Sequence, residues 1–303
     1  MTDILKKYLF ADQSTRAQVV HLEQAWQTGL EHQHYPDCIR NLLGELVAAS
    51  VLLAGNLKFD GSLILQIQGD GPIALLVVEC TSDMDIRATV SLRENQPIPH
   101  SGTLQSLLNT QGEGRFTVVL APRQSSSDFR PYQGVVPLEG DTVAEVLQTY
   151  MHGSEQLDTR LWLAADGQHC AGLLLQRLPA QGGQSIVQSL ETWERALALA
   201  STVQPQELLQ VDCDTLIHRL FWEEDLLAFD PQSVRWHCPC SRQRVSNMLR
   251  MLGRQEVEQL LAERSTIHVS CNFCGKPYEF DAIDCASLFV DNSDSLPGDS
   301  TLH

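Results

Sequence analysis

The amino-acid sequence predicts an α+β fold: an N-terminal domain with helices and a mixed, largely antiparallel sheet, then a helical linker and a small C-terminal domain. Strand-like segments follow one another through residues 1–179 and are joined by short turns, which favours antiparallel pairing over a doubly wound parallel sheet. From residue 185 onward the apolar residues change to helical spacing. Most of the chain's nine cysteines lie beyond that helical stretch.

Composition and charge limit the classes of protein to which the chain can belong. With 303 residues, 43% of them hydrophobic, it can form a buried core. Its 38 acidic and 21 basic residues give a net charge of −17, which argues against a protein that coats nucleic acid or an anionic membrane. The longest apolar stretch, 46–54, is less than half of the roughly 20 residues that a membrane-spanning helix needs. Because the N-terminus also lacks the pattern of a signal peptide, we expect a cytoplasmic protein.

The N-terminal domain, residues 1–179, contains one long predicted helix and several predicted strands. Residues 38–54 have apolar side chains at helical spacing, and Gly55 ends the helix. Residues 62–68 and 73–79 flank a Gly-Asp-Gly-Pro turn and predict a β-hairpin. Thr142 and Glu145 have the spacing of a capping box and predict a helix that runs to residue 152. Further strands are predicted at 86–92, 115–121, 133–138, 160–166 and 170–176.

A Pro/Gly/Gln stretch at residues 179–184 predicts the end of this domain. The linker that follows, residues 180–235, has helical patterns over 185–229 and little strand character. One helical face carries apolar residues spaced by three or four positions: Ile186, Leu190, Trp193 and Leu197. Helices this short are not stable alone in water, so we expect a metastable linker that docks on the N-terminal domain.

Two closely spaced cysteine pairs predict a metal site. Cys238-Pro239-Cys240 and Cys271-Asn272-Phe273-Cys274 flank a short helical segment, so each pair can supply two corners of a tetrahedral zinc site. We therefore predict one Zn²⁺ per chain, bound by a small zinc-binding domain over residues 236–290. Gly275 directly follows the second pair and is expected to adopt a positive φ. The polar, acidic tail at 291–303 is expected to be disordered.

The other cysteines and the neighbouring histidines are weaker candidates for this site. His237 and His268 lie beside the pairs and are less favoured ligands, because four thiolates already complete the set. Acidic neighbours are expected to raise the pKa of Cys213, which makes it a poor reactive thiol. The remaining cysteines lie in apolar patterns and are expected to be small core residues: Cys38, Cys80, Cys170 and Cys285.

A closed four-thiolate site has no open position for water or substrate, which argues against zinc hydrolysis and against an enzyme. A structural clip and a redox switch remain. The C-x-C spacing, the capacity of each pair to form its own disulfide, and the arginines between the pairs favour the switch. Oxidation would then remove zinc, unfold the C-terminal domain and free the apolar linker face to bind unfolded proteins. The candidate client-binding residues are Leu190, Trp193, Leu197, Leu220, Phe221 and Trp222.

Several longer segments are similar to one known family, and they span nearly the whole chain. They are residues 8–26, 57–79, 132–164, 221–249 and 271–281. Together with the order and separation of the cysteine pairs, these segments resemble the redox-regulated 33-kilodalton heat-shock chaperones of bacterial type.

This resemblance implies a cytosolic, ATP-independent holdase that is inactive while it is reduced and zinc-bound. It implies that oxidants form two disulfides, Cys238–Cys240 and Cys271–Cys274, with zinc release and unfolding of the linker. It also implies that the oxidised form is a homodimer and that its partners are unfolded client proteins. The sequence contains no G-x-x-x-x-G-K-[ST] motif, which agrees with ATP independence.

Two other classes of function stay open at this point. A zinc-ribbon protein that binds nucleic acid or acts in translation would fit the arginines between the cysteine pairs, although the acidic charge disfavours it. A thiol–disulfide oxidoreductase would fit the C-x-x-C pair, but the pair lacks a βαβ context of thioredoxin type. Salt-dependent binding to RNA or DNA would support the first class, and catalytic reduction of insulin would support the second.

Overall fold

The computed structural model describes residues 3–56, 58, 60–94, 96–99, 101–123, 131–179 and 186–289. The chain divides into two units, residues 1–238 and 239–303. The predicted boundary at residues 180–184 and the predicted disordered tail at 291–303 lie outside the described residues. Within the described ranges, no helix is both long and apolar enough to span a bilayer.

The N-terminal unit contains two sheets. Sheet A has the strand order β10-β1-β2-β9-β8, with β11 also pairing with β1, and sheet B has the order β12-β5-β4-β3-β6-β7. All of these pairs are antiparallel except β12 with β5, which confirms the predicted largely antiparallel architecture. The strands are β1 (Ile4–Phe10), β2 (Thr15–Leu22), β3 (Gly61–Gln68), β4 (Ile73–Thr81), β5 (Asp85–Leu92), β6 (Arg115–Pro122), β7 (Tyr132–Pro137), β8 (Thr159–Ala165), β9 (Cys170–Arg177), β10 (Leu226–Ala228), β11 (Gln232–Ser233) and β12 (Arg235–Trp236).

The helices of this unit lie between and outside the two sheets. The longest, α2, contacts strands of both sheets and is buried over most of its circumference, as a helix with protein on two sides must be. The helices are α1 (Gln24–Leu30), α2 (Asp37–Ala54), α3 (Leu104–Leu108), α4 (Val143–Gly153), α5 (Ile186–Ala200), α6 (Pro205–Gln210) and α7 (Cys213–Phe221).

The elements predicted from hydrophobic periodicity are present, and their ends agree within two residues. These are α2, α4 and the strands β3 to β9. The cap of α4 is half of the expected box: the Thr142 hydroxyl accepts a hydrogen bond from the Glu145 amide at 3.2 Å. The Glu145 carboxylate instead accepts from the amide of Asp141, one residue earlier, at 2.6 Å.

Sheet A is buried on both faces. Its inner face packs on α2, and Leu5, Val20 and Leu174 belong to that core. Its outer face packs against α5, α6 and α7, so the short helices dock on the N-terminal sheet as expected. The Phe10 and Phe221 rings meet edge to face across this contact, with centroids 5.4 Å apart. Strand β9 is buried along almost its whole length, because protein covers both of its sides.

Residues 226–228 differ from the helical pattern predicted for that part of the chain. They form β10, which pairs with β1 from Tyr8 to Phe10. Strand β1 would otherwise leave a row of unpaired backbone groups at the edge of sheet A, and pairing with β10 satisfies them. The need of the β1 backbone groups for hydrogen-bond partners therefore outweighs the weak helix preference of residues 226–228.

The C-terminal unit has its own small core. Its elements are α8 (Arg242–Leu252), α9 (Arg254–Glu263), β13 (Ile267–Ser270), β14 (Pro277–Phe280) and α10 (Ala282–Leu288). The helical pattern over 242–263 forms two helices, because Gly253 interrupts it with a φ of 96°. Helix α10 follows strand β14 directly, and its N-cap residue Asp281 accepts a hydrogen bond from the Asp284 amide at 2.8 Å. The buried residues of this core are Leu249, Val257, Ile267, Tyr278, Phe280, Cys285 and Leu288.

Gly44, in the middle of α2, provides a test of this packing. A Cβ atom there would lie 2.5 Å from the Cβ of Ala165 and 3.1 Å from a ring carbon of Trp26. We expect Gly44→Ala to lower the free energy of unfolding by about 1–3 kcal/mol, because the added methyl group overpacks the core. In an open helix the same substitution would instead raise the free energy of unfolding by roughly 1 kcal/mol. Urea unfolding of the reduced protein, followed by far-ultraviolet circular dichroism, measures the change.

Gly153→Ala is the matched control for that substitution. Gly153 is the last residue of α4, and an added Cβ would meet nothing within 4 Å. The variant's free energy of unfolding should stay unchanged or rise by up to about 1 kcal/mol, because alanine has the higher helix propensity and meets no clash there. Equal effects of the two substitutions would contradict the close packing of α2 between the sheets.

Candidate functional site

Four cysteines converge in the C-terminal part of the chain. The Sγ atoms of Cys238, Cys240, Cys271 and Cys274 all lie within 4.8 Å of one another. The Sγ atoms of Cys240 and Cys274 are 3.4 Å apart, so the two sequence pairs meet directly. Cys274 is buried and the other three are partly buried. The predicted ligand set is therefore brought together in a position to hold a metal ion.

Two short structural elements position the thiols. Cys240 lies directly before α8, whose N-cap residue Ser241 accepts a hydrogen bond from the Arg244 amide at 3.3 Å. Cys271 and Cys274 lie in the loop that joins β13 and β14. This arrangement fixes one pair at a helix start and the other in a tight loop.

The loop between β13 and β14 folds as a knuckle. The Cys271 amide donates to the Lys276 carbonyl at 3.0 Å, and the Gly275 amide donates to the Cys271 carbonyl at 2.9 Å. Gly275 has a φ of 70°, which confirms the positive φ expected from the sequence. Glycine adopts this conformation without the steric penalty that a Cβ atom would add.

Tyr278 is a residue of the site that the sequence analysis missed. Its hydroxyl donates a hydrogen bond to the Cys240 Sγ atom at 3.1 Å. This hydrogen bond, together with burial and the nearby thiolates, raises the pKa of Tyr278 well above its usual range. The neutral phenol thus remains a donor to the sulfur. Only its position seven residues after Cys271, in a strand paired with β13, would have indicated the contact.

The neighbouring histidines do not join the cluster in the described residues. His268 pairs with Glu279 across the β13–β14 hairpin, with its Nδ1 atom 3.3 Å from a carboxylate oxygen. The group of residues able to hold a metal ion consists of the four cysteines. The sequence-based preference for thiolates over His237 and His268 agrees with this geometry.

Two of the arginines between the cysteine pairs, Arg242 and Arg250, contact other elements of the C-terminal unit. Arg242 pairs with Asp284 at 2.6 Å, donates to the Glu279 carbonyl at 2.7 Å and stacks over the Phe280 ring. Arg250 donates to the Leu288 carbonyl at 3.0 Å. These contacts tie α8 to β14 and α10. They use much of the hydrogen-bonding capacity that a nucleic-acid surface would need.

The cysteines outside the cluster mostly follow the sequence-based expectations. Cys80, Cys170 and Cys285 are buried, and burial raises the pKa of each thiol. Cys38 is only partly buried: it packs against the main core, and its Sγ atom donates to the Pro99 carbonyl at 3.3 Å. Its helical position lies near the start of α2, where the cover from the sheets is incomplete.

Cys213 has a raised pKa for a different reason from the one expected. Burial is the largest cause, and the pKa rises to about 12. The neighbouring Asp214 and Asp212 add to the rise, while Lys6 opposes it. The thiol lies at the start of α7 under the outer face of sheet A, which the local sequence alone does not reveal.

The candidate client-binding residues fall into two groups. Trp193, Leu220 and Phe221 are buried against the outer face of sheet A. Leu190 and Trp222 are exposed, with Trp222 68% accessible, and Leu197 is intermediate. The structure therefore places part of this set in a core that would have to open before the side chains could contact another protein.

Comparison with known proteins gives consistent matches along the chain. The family model described as "Hsp33 protein" matches residues 3–281. A 33 kDa chaperonin from Methylobacillus flagellatus is 45% identical over 100% of this chain and 99% of its own length. One from Chromobacterium violaceum is 44% identical over 95% of this chain and 94% of its own length. A crystal structure of the 33 kDa chaperonin from Thermotoga maritima superposes with a TM-score of 0.73 at 19% identity, covering 94% of this chain and 97% of that one, and shares the fold.

Substitution of single cysteines tests the ligand set. We expect Cys238→Ser and Cys271→Ser each to weaken zinc binding by more than about a hundredfold, because a neutral hydroxyl replaces a thiolate ligand. Loss of a residue that only supports a ligand weakens metal binding by roughly 10- to 100-fold, and loss of a ligand should cost more. Competition with a chromogenic chelator, using Zn²⁺ and reduced protein, measures the affinity. Cys38→Ser is the control and should bind Zn²⁺ like the parent protein. Unchanged affinity in either ligand variant would contradict the four-thiolate site.

Proposed function

The chain belongs to the Hsp33 family, and we propose that it is a redox-regulated, ATP-independent chaperone that binds unfolding proteins after its four-cysteine site is oxidised. The observation that carries this proposal is the convergence of the Cys238, Cys240, Cys271 and Cys274 thiols within 4.8 Å of one another. Relatives of 44–45% identity are named 33 kDa chaperonins, which supports the same function. We propose a cytoplasmic location, unfolded proteins as partners and no nucleic-acid partner.

The donor set fits Zn²⁺. Zinc–thiolate bonds of about 2.3 Å in a tetrahedral site place the sulfur atoms about 3.8 Å apart, and the observed separations span that value. Cys238, Cys240, Cys271 and Cys274 would hold the ion in the reduced protein. The bound ion supplies cross-linking of the fold, and with four protein ligands it leaves no position for a substrate.

The proposed switch is the oxidation of these thiolates. Each disulfide forms when two thiolates lose two electrons, and hypochlorite accepts them and is reduced to chloride. The family resemblance pairs Cys238 with Cys240 and Cys271 with Cys274, and proximity alone also permits Cys240 with Cys274. Either outcome replaces thiolates by disulfide sulfur, which is a poor zinc ligand.

Loss of the metal is expected to unfold the C-terminal unit. Structural zinc contributes roughly 10–16 kcal/mol to the folding of small sites, and the seven buried residues of this core cannot replace that contribution. We propose the division 1–179 for the N-terminal domain, 180–235 for the linker and 236–290 for the zinc-binding switch. Cys238 lies two residues after β12, which pairs with β5. Release of Cys238 from the metal would therefore free the segment that follows β12.

Undocking of the linker from sheet A would expose two apolar surfaces that are now in contact with each other. The linker would present residues such as Trp193 and Phe221, and sheet A would present its outer face with Phe10, Leu173 and Leu175. Exposed apolar surfaces of this extent bind other proteins. We propose that both surfaces contribute to client binding and that they also support the dimer of the oxidised form.

The redox proposal is tested by following zinc and chaperone activity together. Reduced protein should hold one Zn²⁺ and fail to prevent aggregation of a thermally unfolded client, measured by light scattering. Hypochlorite should release the Zn²⁺ and turn on suppression in parallel, with no ATP added. Mass spectrometry of peptides from the oxidised protein then identifies the disulfides.

Two results would contradict this proposal. One is oxidised protein that suppresses aggregation while retaining its Zn²⁺. The other is equal suppression by the reduced and the oxidised forms, which would leave the cysteine site a structural clip. Oxidised Cys38→Ser should behave like the parent, since that thiol lies outside the cluster.

A core substitution tests the role of the linker separately. Leu216 of α7 is buried against sheet A, and Leu147 of α4 is buried in the inner core. Leucine-to-alanine changes in such positions cost about 2–5 kcal/mol. We expect Leu216→Ala to give measurable suppression of aggregation in the reduced, zinc-bound protein, because it weakens linker docking. Leu147→Ala should lower the melting temperature without that gain, and equal activity in both variants would contradict the linker model.

A further inference from the structure

One end of the inner face of sheet A carries polar residues in place of the apolar residues found elsewhere on that face. In the strand register, Lys7 of β1 lies opposite Gln18 of β2, and Arg16 of β2 lies opposite Gln176 of β9. Alternation along the strands points these side chains to the same side as the core residue Leu5. Beyond the end of α2, Lys7, Arg16 and Gln18 border a cavity of about 270 Å³.

Arg16 is held in this region by neutral groups. Its Nε atom donates to the Gln176 side-chain oxygen at 2.8 Å, and its Nη1 atom donates to the Asn56 side-chain oxygen at 2.7 Å. Gln18 donates to the same Asn56 oxygen at 2.7 Å, which fixes the amide. Across the described ranges of the chain, the hydrogen-bond partners of the Arg16 side chain are these two neutral amides and not a carboxylate, which leaves N–H donors of the guanidinium for a ligand.

Lys7 lies beside Arg16 and is also without a carboxylate partner among the residues that the structure describes. Its Nζ atom donates to the Gly55 carbonyl, just past the end of α2, at 3.2 Å. Burial and the positive charge of Arg16 lower the pKa of Lys7, and burial also lowers the pKa of Arg16. Two partly buried cations thus stand together in a chain with a net charge of −17. Such a pair is unfavourable unless an anion joins it.

The rest of the cavity wall indicates what kind of anion fits. Leu9, Leu178 and Phe229 line the cavity, and none of its described lining residues is acidic. A neighbouring cavity shares Arg16 and Asn56 but contains Glu155, whose charge repels an anion there. The first cavity therefore combines two cations with an apolar wall, in a volume suited to a small molecule.

We propose that this cavity, the Lys7–Arg16 pocket, binds a small organic oxyanion, either a carboxylate or a phosphate monoester. Its charged group contacts Arg16 and Lys7, and its apolar group contacts Leu9, Leu178 and Phe229. Charge-assisted hydrogen bonds from a guanidinium and an ammonium group to one oxyanion supply most of the affinity. The proposal concerns a ligand site on the N-terminal unit and does not depend on the redox function.

Calorimetric titration of the reduced full-length protein tests the pocket. The probes are phenylacetate, phenyl phosphate and inorganic phosphate, each at constant ionic strength adjusted with sodium chloride. We expect saturable binding of at least one phenyl probe, tighter than binding of inorganic phosphate. Arg16→Gln and Lys7→Gln should each weaken it by at least roughly tenfold, because each removes one charge-assisted contact.

Arg160→Gln is the matched control. Arg160 is an exposed arginine of β8 that lies opposite Leu175, on the other face of sheet A, and its removal changes the net charge by the same amount. Binding by this variant should equal that of the parent. A loss as large as that in Arg16→Gln would show a non-specific charge effect and overturn the pocket.

The remaining outcomes also decide the proposal. The tighter of the two phenyl probes identifies the preferred charged group. Inorganic phosphate binding as tightly as phenyl phosphate would overturn the apolar half of the site. No saturable binding of any probe, or binding unchanged in Lys7→Gln, would overturn the pocket as a whole. Circular dichroism verifies the fold of each variant, and Lys7→Gln decides the result if Arg16→Gln does not fold.

Discussion

The apolar outer face of sheet A is the constraint on which the rest of the N-terminal unit depends. A sheet with α2 on one side and nothing on the other would leave Phe10, Leu173 and Leu175 in water. Helices α5, α6 and α7 cover that face, and they are too short to persist without it. The contact therefore stabilises both partners and exists only while both are in place. Such a mutual dependence allows a modest local perturbation to expose a large apolar area.

The C-terminal unit also depends on a small number of stabilising contacts. Its hydrophobic core is limited, and several polar contacts support it, among them Arg242 with Asp284 and Tyr278 with the Cys240 sulfur. Four converging thiolates repel one another unless a cation lies among them. A bound metal ion would convert this destabilising cluster into a cross-link between four points of the chain. In the proposed switch, oxidation would remove the thiolate charges and with them the attraction that holds the cation.

Much of this could be predicted from the sequence, and the exceptions have physical causes. Apolar strand patterns between turn signals identified β3 to β9, and helical spacing identified α2. The two cysteine pairs identified the thiol cluster. The contact between Cys240 and Cys274 and the donor role of Tyr278 arise from the β13–β14 pairing, which no local pattern encodes. The burial of Cys213 depends on where α7 docks. Strand β10 forms because β1 needs a partner, a demand set by residues far away in the chain.

Strands β1 and β2 escaped prediction for a more informative reason. Lys7, Arg16 and Gln18 occupy positions that face the α2 side, where apolar residues would have completed the strand pattern. Sequence-level rules tend to fail where a protein places polar groups for a purpose other than folding. In this chain the failure coincides with the Lys7–Arg16 pocket. The Phe229 side chain also lines that pocket, and its amide donates to the Lys7 carbonyl at 3.0 Å, directly after β10. An anion that contacts both Phe229 and the cations binds the docked arrangement better than an undocked one. By linkage, such a ligand would stabilise the docking of β10 on β1 and would oppose the release of the linker proposed above.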